Sequence, residues 1–434
     1  MPSTYFRVSA FTFLALIAAN VCRAQMVVAP DRTNGIYEVG DTVHWTVTWK
    51  GASNAPAAQY ALKSGGLTEV GQGDLNFTNG IAGLETKFTA PNTMLVEVKW
   101  QPENNFDRAV GGAVAAPDKI TPAVSPPADF DSFWKAKLEE LKKIPTHPQL
   151  EKAEGEKAGV EYWKITMDNI RGSHLHGQIA RPKKDGKFPA LLIVQWAGVY
   201  GLQKSWVTDR AAEGWLALDI EPHDLPIDQP ESFYQDQFAG PLKNYWSLGN
   251  DNRDTSYFLR MYLSCYRAIE YLKTRPDWNG KTLVVMGDSQ GGQQTVMIAG
   301  LHPNDLTAAL ALVPANGDTL APEIGRAPGW PQWYFNTDGK DPEKVREASR
   351  YYDIANFARR IKCPILVGLG LRDETCPPSS VLAAVSQIHS PKEIVILPKS
   401  GHQDEHGTQA FYNKRRYNVW LPALREGKSP PVNQ

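Results

Sequence analysis

Cysteine is scarce, with four in 434 residues at wide spacing. Cys22 falls in the leader described below. The remaining three, Cys265, Cys363 and Cys376, describe no disulfide framework, and at most one pair could bridge. Neither C-x-x-C spacing nor a histidine-rich cluster points to zinc, so no metal is expected. An excess of one charge is also missing. With 46 Lys and Arg against 47 Asp and Glu, no global field attracts nucleic acid or anionic lipid. The apolar run Phe11 to Ala19 is too short to span a bilayer comfortably. It follows Arg7 and leads to Cys22-Arg23-Ala24, which predicts a signal peptide over residues 1–24 and export to the periplasm or beyond, with no membrane anchor after cleavage. Disorder as the general state is excluded by 15 Phe, 13 Trp and 16 Tyr, far more packing surface than a disordered chain carries.

What is present divides into two parts. Over residues 25–118, period-two alternation in Thr42 to Trp49 and in Leu95 to Trp100, punctuated by Gly and Asn turns, predicts a small all-β unit, an immunoglobulin-like sandwich. Trp45, Trp49 and Trp100 are expected to fill its core rather than to stack on sugars, since one face of every strand must be buried. Pro122, Pro126 and Pro127 mark a linker over 119–128. Beyond it, Asp131 is placed to cap a helix carrying Phe133, Trp134, Leu138 and Leu141 and ending at Pro145. Eight strand-like runs follow, at 160–167, 174–180, 189–195, 215–220, 282–286, 308–313, 364–369 and 393–397, several separated by helical segments such as 255–273. Continuous apolar runs of this kind suit strands buried on both faces, so residues 129–434 are expected to form a doubly wound, mostly parallel α/β sheet. Its first two strands should make an antiparallel hairpin at the edge.

Gly287-Asp288-Ser289-Gln290-Gly291-Gly292 stands between a strand and a helix predicted over 290–301. A G-x-S-x-G in that setting is a nucleophile elbow, in which a strained turn leaves the serine oxygen exposed. The alternative, a Gly-rich anion-binding turn, is disfavoured by Asp288 and by the lack of a Walker lysine. Serine needs a base, and the base needs a carboxylate to hold its tautomer. Asp373 and His402 follow two later strands, in the chain order of α/β-hydrolases. Glu374 and His406 compete for these roles, with His406 read as the start of the terminal helix. The oxyanion needs two N–H donors. Gln290 supplies one by position, and the other is expected from Val199 or Tyr200 in the loop Trp196 to Gly201. The other histidines read as surface or packing residues, with His223 near the mouth of the sheet.

These segments, together with Ala128-Asp129-Phe130-Asp131-Ser132-Phe133-Trp134, Asp373-Glu374-Thr375-Cys376-Pro377-Pro378 and Gly401-His402, resemble the acetyl xylan esterase and cephalosporin-C deacetylase family of α/β-hydrolases. The resemblance runs from Pro127 to about Leu424. It implies a serine esterase that deacetylates sugars without a cofactor, with Ser289, Asp373 and His402 at the triad positions, and a homo-oligomeric assembly. Two elements depart from the family pattern. Glu221-Pro222-His223-Asp224 stands where the family has Arg-Gly-Gln, and His402-Gln403 replaces its His-Glu pair. An esterase for bulkier feruloyl-type acyl groups, a serine peptidase with a β-rich accessory domain, and a catalytically silent carbohydrate-binding protein are the rival expectations.

Overall fold

The computed structural model describes residues 26–51, 54–100, 107–430 and 432, so the expected signal peptide lies outside the described residues. The first eight strands are β1 (Met26–Pro30), β2 (Ile36–Tyr37), β3 (Thr42–Trp49), β4 (Ala58–Ser64), β5 (Thr68–Leu75), β6 (Ile81–Lys87), β7 (Asn92–Trp100) and β8 (Arg108–Ala115). They form two sheets, ordered β1-β3-β6 and β2-β8-β7-β4-β5. Alternation decides which side chains meet between them. Val43, Trp45 and Val47 of one sheet share a buried cluster with Val96, Val98 and Trp100 of the other. Trp49 lies edge-on to Trp100 at the margin of this cluster, so all three tryptophans serve packing.

The second part is built on nine strands: β9 (Gln149–Ala153), β10 (Val160–Asp168), β11 (His174–Pro182), β12 (Phe188–Val194), β13 (Leu216–Glu221), β14 (Trp278–Asp288), β15 (Ala308–Leu312), β16 (Ile365–Gly370) and β17 (Lys392–Leu397). Their order is β17-β16-β15-β14-β12-β13-β11-β10-β9, parallel from β17 to β13 and antiparallel beyond. The expected hairpin forms between β10 and β11, but β9 is the edge. Gln149–Ala153 carries almost no buried side chain, so it joins the sheet without an apolar pattern to announce it. Helices α1 (Phe130–Lys142), α2 (Ser205–Glu213), α3 (Glu231–Ala239), α4 (Tyr257–Thr274) and α5 (Gln290–Leu301) precede β15. Asp131 sits inside the first turn of α1 and Asp129 holds the cap position; the helix ends at Lys142, short of Pro145. Helices α1, α4 and α5 pack on one face of the sheet, and α2 with the carboxy-terminal helices packs on the other. Among the described residues no helix is long and apolar enough to cross a membrane. Cys265, Cys363 and Cys376 are all buried and free.

Strand β12 lies between β13 and β14, so the chain reverses its direction of travel across the sheet there. Loops at the carboxyl ends of β12 and β14 therefore diverge and open a crevice, the place where open α/β sheets gather their sites.

Candidate active site

Ser289 follows β14 with φ 57° and ψ −118°, a backbone conformation that a non-glycine residue adopts only under constraint. Its neighbours explain how the turn is possible. A Cβ on Gly287 would lie 2.6 Å from the Gly291 carbonyl, and one on Gly291 would lie 2.3 Å from the Val194 oxygen. Glycine at both positions lets the elbow close against β12. The Ser289 backbone is pinned to β15 by its N–H, which donates to the Leu312 oxygen at 2.9 Å.

Three sequence-predicted residues, far apart in the chain, meet here. The Ser289 Oγ lies 2.9 Å from His402 Nε2, and His402 Nδ1 lies 2.9 Å from Asp373 Oδ2. Asp373 is buried, and its other oxygen accepts the N–H groups of Thr375 and Cys376, each at 2.8 Å. The carboxylate is thus fixed on one side by backbone and on the other by imidazole. His402 follows β17, and Gln409 Nε2 donates to its carbonyl at 3.1 Å. The competitors are elsewhere: Glu374 turns outward to Arg108, and His406 sits in the exposed turn Glu405–Gly407 with φ 54°, ahead of the terminal helix rather than at its start.

A cavity of about 470 Å³ opens over Ser289 and His402. Trp196, Leu312, Val313 and Trp330 give it apolar walls, while Thr375, Gln403, Asp404 and Gln409 make a polar rim. Trp196 is exposed, stacks on Tyr200 at 5.3 Å and meets Trp206 edge-on at 5.1 Å.

Behind the Trp196 to Gly201 loop runs a buried polar chain that sequence reasoning missed. Tyr245 Oη donates to Gln290 Oε1 at 2.6 Å and accepts the Gly198 N–H at 3.3 Å. His223 Nε2 faces the Gly198 carbonyl at 2.7 Å, so that nitrogen carries the proton, and Nδ1 accepts from the Tyr257 hydroxyl at 2.9 Å. Burial pushes His223 down to about 3, which keeps it neutral. Both faces of Gly198 are therefore held, one by a residue of α5 through Tyr245 and one by the turn after β13. His223, read from the sequence as a packing residue near the mouth of the sheet, also stands in the segment that departs from the family pattern. Tyr245 gave no signal. Arg416, also missed, is buried and pairs with Asp288 beside Ser289.

The sheet order, the reversal at β12 and the strained serine after β14 define an α/β-hydrolase. Comparison with known proteins narrows this. Residues 118–422 match the model of the acetyl xylan esterase family. The acetyl esterase Axe7A of Xylanibacter ruminicola is 30% identical over 396 residues, covering 89% of both chains. That is more of the chain than residues 118–422 span, so the likeness takes in strands of the amino-terminal part. Solved structures of the acetyl xylan esterases of a Thermoanaerobacterium species and of a Paenibacillus species share the fold. Their TM-scores are 0.59 and 0.57 at 22% and 24% identity, over 69% and 68% of this chain and 96% and 98% of theirs. The chain belongs to the acetyl xylan esterase family and is a serine carboxylesterase.

Proposed function

We propose that this protein removes acetyl groups from acetylated oligo- or polysaccharides through an acetyl-enzyme. The observation that carries the reading is the continuous hydrogen-bonded path from Ser289 through His402 to buried Asp373 in a member of this family. His402 Nε2 takes the serine proton as Oγ attacks the ester carbonyl, and gives it to the departing sugar oxygen. Water then repeats the cycle in reverse. Asp373 Oδ2 keeps Nδ1 protonated and so leaves Nε2 free as the acceptor.

The developing oxyanion takes the Gln290 N–H and, of the two candidates, the Val199 N–H. A trans peptide points its C=O and N–H in opposite directions. His223, buried behind the loop, holds the Gly198 carbonyl toward itself, so the N–H of the same peptide unit faces away from the core. The apolar walls suit a small acyl methyl, and the remaining volume suits the sugar. The signal peptide expected over residues 1–24 supports an enzyme that acts outside the cytoplasm.

Acetate release from acetylated xylan and xylo-oligosaccharides tests the reading directly. The wild type should release acetate and the Ser289→Ala variant should lose at least roughly three orders of magnitude while melting at the same temperature. Ferulate release outpacing acetate release would transfer the assignment to bulkier esters. Failure of a serine-directed phosphonate to label the protein would return it to a binding role.

A further inference from the structure

We propose that His174, His176 and Asp224 form a binding site for a divalent transition-metal ion of the zinc class, separate from the esterase site. The sequence places His174 and His176 two residues apart on β11, and a strand of period two sends both imidazoles to one face. Register does the rest. His176 pairs with Glu221 across the β11–β13 ladder, which brings the turn after β13, and Asp224 with it, over that face.

The ligand atoms converge on one point. Asp224 Oδ1 is 3.2 Å from His176 Nε2 and 3.5 Å from His174 Nδ1, and all three ligand atoms lie within 4.8 Å of one another. Metal–ligand bonds of about 2.0 to 2.2 Å at tetrahedral angles separate neighbouring ligand atoms by roughly 3.3 to 3.5 Å. One outward atom fits as well. A metal-bound histidine offers its second nitrogen to an oxygen. Here the hairpin register pairs His176 with Thr166 and His174 with Asp168. Thr166 Oγ1 lies 3.3 Å from His176 Nδ1, and Asp168 Oδ1 lies 3.9 Å from His174 Nε2. Arg260 faces the other Asp224 oxygen at 3.8 Å, which leaves Oδ1 to the histidines. Two imidazole nitrogens and one carboxylate favour zinc and its neighbours over calcium or magnesium, which take oxygen ligands.

None of the three residues lines the cavity over Ser289, so the ion takes no part in ester cleavage. Its role is structural. It would tie the β10–β11 hairpin to the turn whose preceding residue, His223, holds the Gly198 carbonyl.

Equilibrium dialysis of the full mature chain against zinc chloride at pH 7.5, with metal counted per chain, tests the site. One saturable zinc per chain is expected, unchanged by excess magnesium or calcium. His174→Ala and His176→Ala should each weaken binding at least tenfold, whereas His389→Ala, remote from the cluster, should not. Zinc should raise the melting temperature of the wild type and of His389→Ala but not of the two β11 variants. No saturable uptake would overturn the proposal, leaving only a histidine–aspartate hydrogen-bonded cluster. So would uptake that survives intact in His174→Ala and His176→Ala. Neither readout depends on esterase activity, so each can fail or succeed independently of the function proposed above.

Discussion

Tyr245 has one hydroxyl and two tasks. It donates to the side chain of Gln290, the residue after Ser289, and accepts from Gly198 in the facing loop, so it couples the two segments proposed to supply the oxyanion donors. Tyr245→Phe keeps the ring and removes both bonds. It leaves the Gln290 amide oxygen buried without its partner, at a cost of about 1 to 3 kcal/mol in stability. If the hydroxyl sets the donor geometry, kcat on a small aryl acetate should fall roughly tenfold with KM little changed, because the oxyanion exists only in the transition state. Stopped-flow or steady-state rates on a folded variant check this, and an unchanged kcat would leave Tyr245 a packing residue. The contrast with the triad is physical. That Ser289, Asp373 and His402 would come together was legible because each sits in a short motif at the end of a strand that could itself be read. Tyr245 and His223 act through contacts 45 and 25 residues distant in sequence, which no local pattern encodes.

Strand β13 shows what a buried element can conceal. Its six residues, Leu216–Glu221, are all buried, and two of them are acids. Burial pushes Asp219 up to about 7 and Glu221 up to about 8, against the lowering effect of the hydrogen bonds each receives. Glu221 Oε2 accepts the backbone N–H of Leu225 at 3.3 Å, while Oε1 has no partner and is the natural seat of a proton. The sign follows from linkage. A carboxyl whose folded-state pKa is raised binds a proton that the unfolded chain has already released. Its stabilisation is complete below the unfolded range near 4 and is lost as pH rises through about 8. Each retained proton is worth about 1.4 kcal/mol per pH unit inside that window. Glu221→Gln mimics the protonated acid. Denaturant unfolding at pH 5, 6, 7 and 8 should therefore give a shallower loss of stability with pH than in the wild type. Equal slopes would mean that Glu221 is charged in the folded protein. An apolar run with charged residues inside reads as a strand from sequence, but their protonation depends on a dielectric that only packing creates. β9 is the opposite failure: Gln149–Ala153 buries no side chain and is tied to β10 by its backbone ladder and by exposed ion pairs of Glu151 and Lys152, so it carried no apolar signal.

At the scale of the molecule, the amino-terminal sheets supply none of the three side chains of the proposed triad, yet they rest on the loop that carries one. Leu371, two residues before Asp373, is buried against β8. A Cβ on Gly112 would lie 2.0 Å from the Leu371 carbonyl oxygen, and one on Gly35 would lie 2.6 Å from its side chain. Arg372 donates to the Val28 carbonyl at 3.1 Å, and Arg108 binds both oxygens of Glu374 at 2.9 and 2.8 Å. Three of the four residues from 371 to 374 are thus held from the β-rich side, and the fourth is Asp373. A support of this kind could not be read from the sequence, because glycines in a strand look like weak points until the approaching backbone is known. Gly112→Val tests it. The added side chain meets backbone rather than a flexible tip, so either the sheets or the Asp373 loop must move. A displacement of an ångström at the carboxylate misaligns His402 and should cost between ten- and a hundredfold in kcat. The surface change Lys87→Ala, at the exposed end of β6, should cost nothing measurable. Both variants should be assayed on a soluble aryl acetate, which needs no polymer-binding surface, after their folding has been checked by thermal melting. If Gly112→Val melts cooperatively and turns over at the wild-type rate, the sheets merely accompany the hydrolase and Asp373 is held by its own loop alone.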